Sequence, residues 1–261
     1  MTRKGRMKKV LLIKYEDEFK RYHLLTVLML IFTLLGLVIE VFFVIKKSQE
    51  YLLNYSIADS LTLLGNPFIF SIAICLPFVV ILCLLLLHDF DISSLLRNNN
   101  RKALWYRQSI LIIIASFIWS LIVGGMIILI AKPFVSDWVN WNQMTSFFFY
   151  KTGKLVEFSF LAILLRTLIN TWALLLFIGT ILLIVYWITD DFMICFFVVF
   201  LILGICQFPQ LFFLFTSYKT ITYWKSYIVS LLGCFFLWWA IIDGVAKMKL
   251  INRKDFYGKD K

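Results

Sequence analysis

Few residues in this sequence have types and spacings suited to chemistry, and those few lie inside apolar stretches. Glu40 and Arg166 are ionisable groups in otherwise apolar runs. A charged side chain at the centre of a membrane-crossing helix costs about 2.5–3.5 kcal/mol. Glu40 sits about five residues before the end of its run and Arg166 about five after the start of its own, which puts both roughly 7–8 Å below the outer membrane edge. Opposite charges at equal depth are expected to approach each other, within one chain or between two copies. Asn170 lies one helical turn from Arg166 on the same face and is placed to hydrogen-bond across helices.

No pattern for covalent or metal chemistry accompanies them. His23 and His88 flank apolar runs, and neither has a metal-ligand partner at useful spacing. The five cysteines lie inside apolar runs without a C-x-x-C pair, so they read as small buried packing residues. Lys151-Thr152-Gly153-Lys154 is a fragment of a phosphate loop without its glycine frame; H-E-x-x-H and G-x-S-x-G are absent. Paired glutamates with a downstream histidine, as in a polytopic prenyl-type protease, are absent from the runs. The expectation is no catalytic residue, no metal site and no enzyme activity in this chain.

The elements that must position these residues are apolar runs. The chain has 261 residues, 62% of them hydrophobic and 18% aromatic. Its mean hydropathy is +0.89. The apolar residues gather into six runs, at 24–45, 67–87, 110–131, 161–187, 192–215 and 227–246. Each is long enough for a hydrocarbon core of about 30 Å at about 1.5 Å per residue. Strict alternation, the mark of a β-barrel, is missing. The fold predicted is all-α: a polytopic integral membrane protein with six transmembrane helices, forming one domain over 1–261. The first run is too long for a signal h-region and ends without an A-x-A site, so it is expected to stay as an anchor.

Charge sets the expected orientation. The net charge is +11. Eight Lys/Arg precede the first run, four follow the second and six end the chain, against seven between the other runs. The positive-inside rule then places both termini in the cytoplasm of a bacterial-type cell membrane. The basic residues flank spans and meet anionic lipid there, which argues against nucleic acid as a partner.

The connections carry further signals. Leu11, Leu12, Tyr15, Phe19 and Tyr22 recur at helical spacing, so residues 7–22 read as an amphipathic interfacial helix on the cytoplasmic leaflet. The loop 89–107 joins an asparagine break to a basic-aromatic run, Arg101-Lys102-Ala103-Leu104-Trp105-Tyr106-Arg107. A short helix there is expected to stand clear of the membrane and face a partner. Ile188-Thr189-Asp190-Asp191 reads as a tight turn. Residues 132–160 are aromatic-rich and read as an interfacial helix, or as a lid over substrate. Pro209 is expected to kink or end the fifth run. Trp119, Trp172, Trp238 and Trp239 lie too deep for an interfacial belt and should pack between helices. Asp243 reads as an interfacial residue.

This organisation resembles a permease subunit of a type-2 ATP-binding-cassette (ABC) transporter, in the small form of Gram-positive bacteria. Residues 7–22 look like its connecting helix, 89–107 like its coupling helix, 189–191 like its second cytoplasmic contact, and the run broken at Pro209 like its re-entrant element. The resemblance implies two permease subunits, identical or not, above two copies of a separate ATPase. ATP and Mg would be held by that partner, and this chain would carry no cofactor. The ATPase contact would be Leu96, Arg97, Arg101, Leu104, Trp105, Arg107, Asp190 and Asp191. The substrate implied is hydrophobic or amphipathic: a peptide, an antibiotic or a lipid, exported across the membrane or lifted from its inner leaflet. A reading of another class is a stand-alone membrane binding, immunity or accessory protein without transport.

Overall fold

A computed structural model describes residues 3–89, 101–189, 191–207, 235–236 and 238–244. Among the described residues the chain is helical, with no strand and one isolated bridge between Asn54 and Ser146. Helix α1 is Arg3–Glu50, α2 is Ile57–Leu61, and a 3-10 turn follows at Thr62–Gly65. Next come α3 (Pro67–Ile69), a π-helical segment (Phe70–Cys75) and α4 (Leu76–Asp89). The remainder is α5 (Arg101–Ala131), α6 (Phe147–Thr152), α7 (Phe160–Thr189) and α8 (Phe192–Gln207).

Among the described residues, three helical stretches are long and apolar enough to cross a membrane: His23–Glu50, Ala103–Ala131 and Phe160–Thr189. They hold 28, 29 and 30 residues, or about 42–45 Å at 1.5 Å per residue. Two shorter apolar helices, Phe70–Leu86 and Phe192–Gly204, match the second and fifth expected runs. Positions 208–215 and most of 227–246 lie outside the described residues. The exposed face of α1 carries Ile39 at 69% and Phe43 at 61% exposure. Such a continuous apolar face has no place in water, and it marks a membrane protein.

Residues 7–22, expected as a helix leading into the first run, are helical and continuous with that run in α1, which holds 48 residues. Of the loop 89–107, where a short helix is expected, residues 101–107 are the first turns of α5, which continues to Ala131; residues 90–100 lie outside the described residues. A polar helix end next to an apolar span looks like a connection on hydropathy alone, because backbone hydrogen bonding does not depend on side-chain polarity.

The core lies where α4, α5 and α7 meet. Gly179 makes that meeting close: a Cβ there would fall 2.7 Å from Ile112 Cγ2 and 3.1 Å from Leu82 Cδ2. Similarly, Gly36 of α1 lets the π-segment approach, since a Cβ would fall 2.7 Å from the Ala73 Cβ. Across the turn after α7, Tyr186 stacks on Phe192 at 4.0 Å, and α8 packs beside α7.

Buried and half-buried tryptophans tie the helices together, each through its indole N–H. Trp119 donates to the Ile74 carbonyl inside the π-segment, at 3.1 Å. Trp172 of α7 donates to Ile113 of α5 at 3.2 Å, and Trp238 to Thr180 Oγ1 at 2.7 Å. An indole can enter an apolar interior once its one donor is satisfied. Trp239 departs from the expectation of interhelical packing, being 59% exposed.

Candidate functional site

Chemically distinctive residues collect at the two ends of the helix bundle. One end holds the start of α5 and the end of α7. The expected partner-facing stretch begins there, but its side chains divide. Leu104 and Trp105 are buried, 2% and 0% exposed. The Trp105 Nε1 donates to the Ile242 carbonyl at 3.2 Å. Its ring meets Trp187 edge to face at 5.4 Å. Trp187 Nε1 in turn donates to Gln108 Oε1 at 2.8 Å. Leu104 and Trp105 are therefore interior packing residues, contrary to the expected partner contact. The cause is helical periodicity: residues 104, 105, 108, 109 and 112 form the inward face of α5 and are all buried. Tyr106 and Arg107 lie on the exposed face.

The rest of the expected contact set is placed as follows. Arg101 opens α5. Asp191 is exposed, and its Oδ1 accepts the Met193 N–H at 2.7 Å, capping α8. Leu96, Arg97 and Asp190 lie outside the described residues.

At the opposite end, the connections 51–66 and 132–160 fold on each other into one cap. Asn54 N–H donates to the Thr145 carbonyl at 2.8 Å, and Phe147 N–H returns to the Asn54 carbonyl at 2.9 Å. The first amides of α2 donate to Asp137 and Trp138 carbonyls at 3.0 and 3.1 Å. The aromatics of this cap were expected at a headgroup belt, but Trp141, Phe147 and Phe148 are buried in it. Trp141 stacks on Phe148 at 4.3 Å.

Asp59 is the polar centre of the cap and is fully buried. Its Oδ2 accepts from Ser56 N–H at 2.9 Å and from Ser56 Oγ at 2.7 Å. Its Oδ1 accepts from Trp141 Nε1 at 2.9 Å. Ser56 and Asp59 form a capping box on α2. Sequence reasoning passed over Asp59. The S-x-x-D spacing at 56–59 was its available signal; the bond to Trp141 had none. Burial raises the Tyr55 phenol above its ordinary value. The charge on Asp59 adds to that, the Ser60 hydroxyl opposes it, and Glu40 adds a smaller increase. Neither the Tyr55 nor the Ser60 hydroxyl reaches strict hydrogen-bond geometry.

The intramembrane polar residues have different neighbours. Glu40 Oε1 accepts from Asn66 Nδ2 at 2.9 Å. Arg166 is buried, with its guanidinium 4.8 Å from the centre of the Phe158 ring. Asn66 is thus a neighbour of Glu40, and Phe158 one of Arg166. Asn170 is buried on the α7 face that also holds Arg166. Above Arg166, the cap opens into a cleft of about 320 Å³ lined by Val139, Asn142, Val156, Glu157, Phe158 and Ser159.

The Asp59 carboxylate is already occupied by donors, and the Tyr55 phenol is held protonated. No protein-family model, known protein or solved structure matches this chain.

Proposed function

We propose that this chain is the permease subunit of an ABC transporter. It would export a hydrophobic or amphipathic substrate using ATP and Mg bound by a separate ATPase. The observation that carries the reading is the tie between Trp105, Trp187, Gln108 and Ile242. It joins the start of α5, the end of α7 and the last described helical residues. A push on one helix end is then shared by three. The exposed residues beside it, Arg107 and Asp191, would take the contact in the cytoplasm, together with Leu96, Arg97, Arg101 and Asp190. Leu104 and Trp105 would transmit the push from inside. The complex would hold two permeases and two ATPases.

The test is purification of the tagged chain from its native membrane in mild detergent. A stoichiometric ABC ATPase should co-purify, and Arg107→Glu should release it while thermal stability stays unchanged. Absence of any ATPase, including after crosslinking in membranes, would end this reading. The cleft in the cap favours a second one, a stand-alone binding or immunity protein. That protein would keep its activity in a strain lacking every partner ATPase.

A further inference from the structure

The exposed face of α1 changes character within one turn, and the cap adds a second charged group at that level. Ile39, Phe42 and Phe43 are exposed and apolar; Lys46 and Lys47 follow on the same face, also exposed. An apolar stripe ending in lysines marks the passage from acyl chains to phosphates, which long lysine side chains reach by snorkelling. Tyr51 follows Glu50, the last residue of α1, and is exposed.

Tertiary structure brings α6 to the same place. Phe147 packs in one cluster with Val41 and Ile45, which sets α6 beside the last apolar turns of α1. Tyr150 stacks on Tyr51 at 5.9 Å, and both rings remain more than half exposed. The Lys151 ammonium sits 5.8 Å from the Tyr150 ring centre and 5.5 Å from that of Phe147. The Lys151 ammonium thus lies beside an exposed pair of phenols, and the end of α1 adds the exposed Lys46 and Lys47 against Glu50.

We infer that this corner binds the phosphate of an anionic phospholipid. Lys47 and Lys151 neutralise the phosphate, and the Tyr51 and Tyr150 hydroxyls donate to its oxygens. One acyl chain runs down the stripe Phe43–Ile39. The inference needs only the membrane embedding and is independent of the transport reading. A protein partner is the less favoured occupant, because the site continues directly into an apolar lipid-facing stripe.

The test uses the full chain reconstituted in phosphatidylcholine with spin-labelled phosphatidylglycerol or spin-labelled phosphatidylcholine as probe. The motionally restricted fraction reports relative association. The wild type should favour phosphatidylglycerol, and Lys47→Gln with Lys151→Gln should lower that preference by about fivefold per lysine. Lys47→Arg with Lys151→Arg should retain it. Lys132→Gln, which alters a cap lysine placed 6.0 Å over Trp138, should change it little. No preference in the wild type, or an equal loss in Lys132→Gln, overturns the inference. Displacement of the labelled lipid by millimolar glycerol phosphate would also overturn it, by assigning the site to a soluble phosphate.

Discussion

Replacing Asp59 by asparagine keeps the side-chain shape and removes one acceptor edge. Both edges of the carboxylate face donors: Ser56 N–H and Oγ on Oδ2, and the Trp141 indole N–H on Oδ1. Whichever way the amide turns, its NH2 meets at least one of these. A fully buried donor then loses a charged acceptor, a loss of about 2–3 kcal/mol. For a chain of this size about 2–4 °C accompanies each kcal/mol, so the apparent Tm should fall by about 4–12 °C. The assay is thermal unfolding in detergent, followed by the fluorescence of the purified chain and by retention of the monodisperse species. Trp141 is buried against Phe148, so opening of the cap should also shift emission to the red. A double-mutant cycle with Trp141→Phe isolates the indole bond. The introduced amide can turn its NH2 toward the indole side without opposing a donor once the indole N–H is gone, so the two losses should be less than additive by about 1 kcal/mol or more. A Tm within about 1 °C of wild type, or additivity within about 0.5 kcal/mol, would refute the role given to this carboxylate.

Gly179→Val puts a branched side chain where a single Cβ already meets Ile112 and Leu82. Overpacking of this kind costs about 1–3 kcal/mol, and the yield of monodisperse protein should drop, with partial recovery in Gly179→Val/Ile112→Ala. Trp119→Phe removes the donor to the Ile74 carbonyl; amide exchange over 70–78 should rise about 5–30-fold, for a lost bond of about 1–2 kcal/mol, and unchanged exchange would argue against the tie. The folded chain holds the proton on Tyr55 above its ordinary range, whereas the unfolded chain releases it near pH 10. The stability from Tyr55 is therefore intact below about pH 10 and is lost progressively as pH rises above that. Tyr55→Phe should flatten this alkaline slope with little change at neutral pH, since the hydroxyl makes no strict hydrogen bond.

Much of the helical framework was legible because apolar run length is a local property. The expected run 110–131 shares its end with α5, and 161–187 lies inside α7. The turn before α8 was visible from two aspartates between apolar stretches, and Asp191 caps the helix that follows. The start of α5 was not legible: hydropathy falls at Arg101 while the backbone stays helical. Nor was the division of Leu104 and Trp105 from Tyr106 and Arg107. Periodicity tells which residues share a face, but which face turns inward depends on the neighbouring helices.

The sequence by itself determined that this chain is helical and made for a membrane, because burying a backbone in hydrocarbon leaves long apolar helices as the solution for such runs. Only the tertiary structure decided which polar groups meet. Glu40 is bonded by Asn66 across a chain reversal. Asp59 is bonded by Trp141 from 82 residues away. Tyr51 and Tyr150 are stacked by the closing of the cap. Such pairs have no period and no spacing to announce them. They follow from the distances between packed helices, which side-chain volumes and close approaches such as Gly179 against Ile112 set for the molecule as a whole.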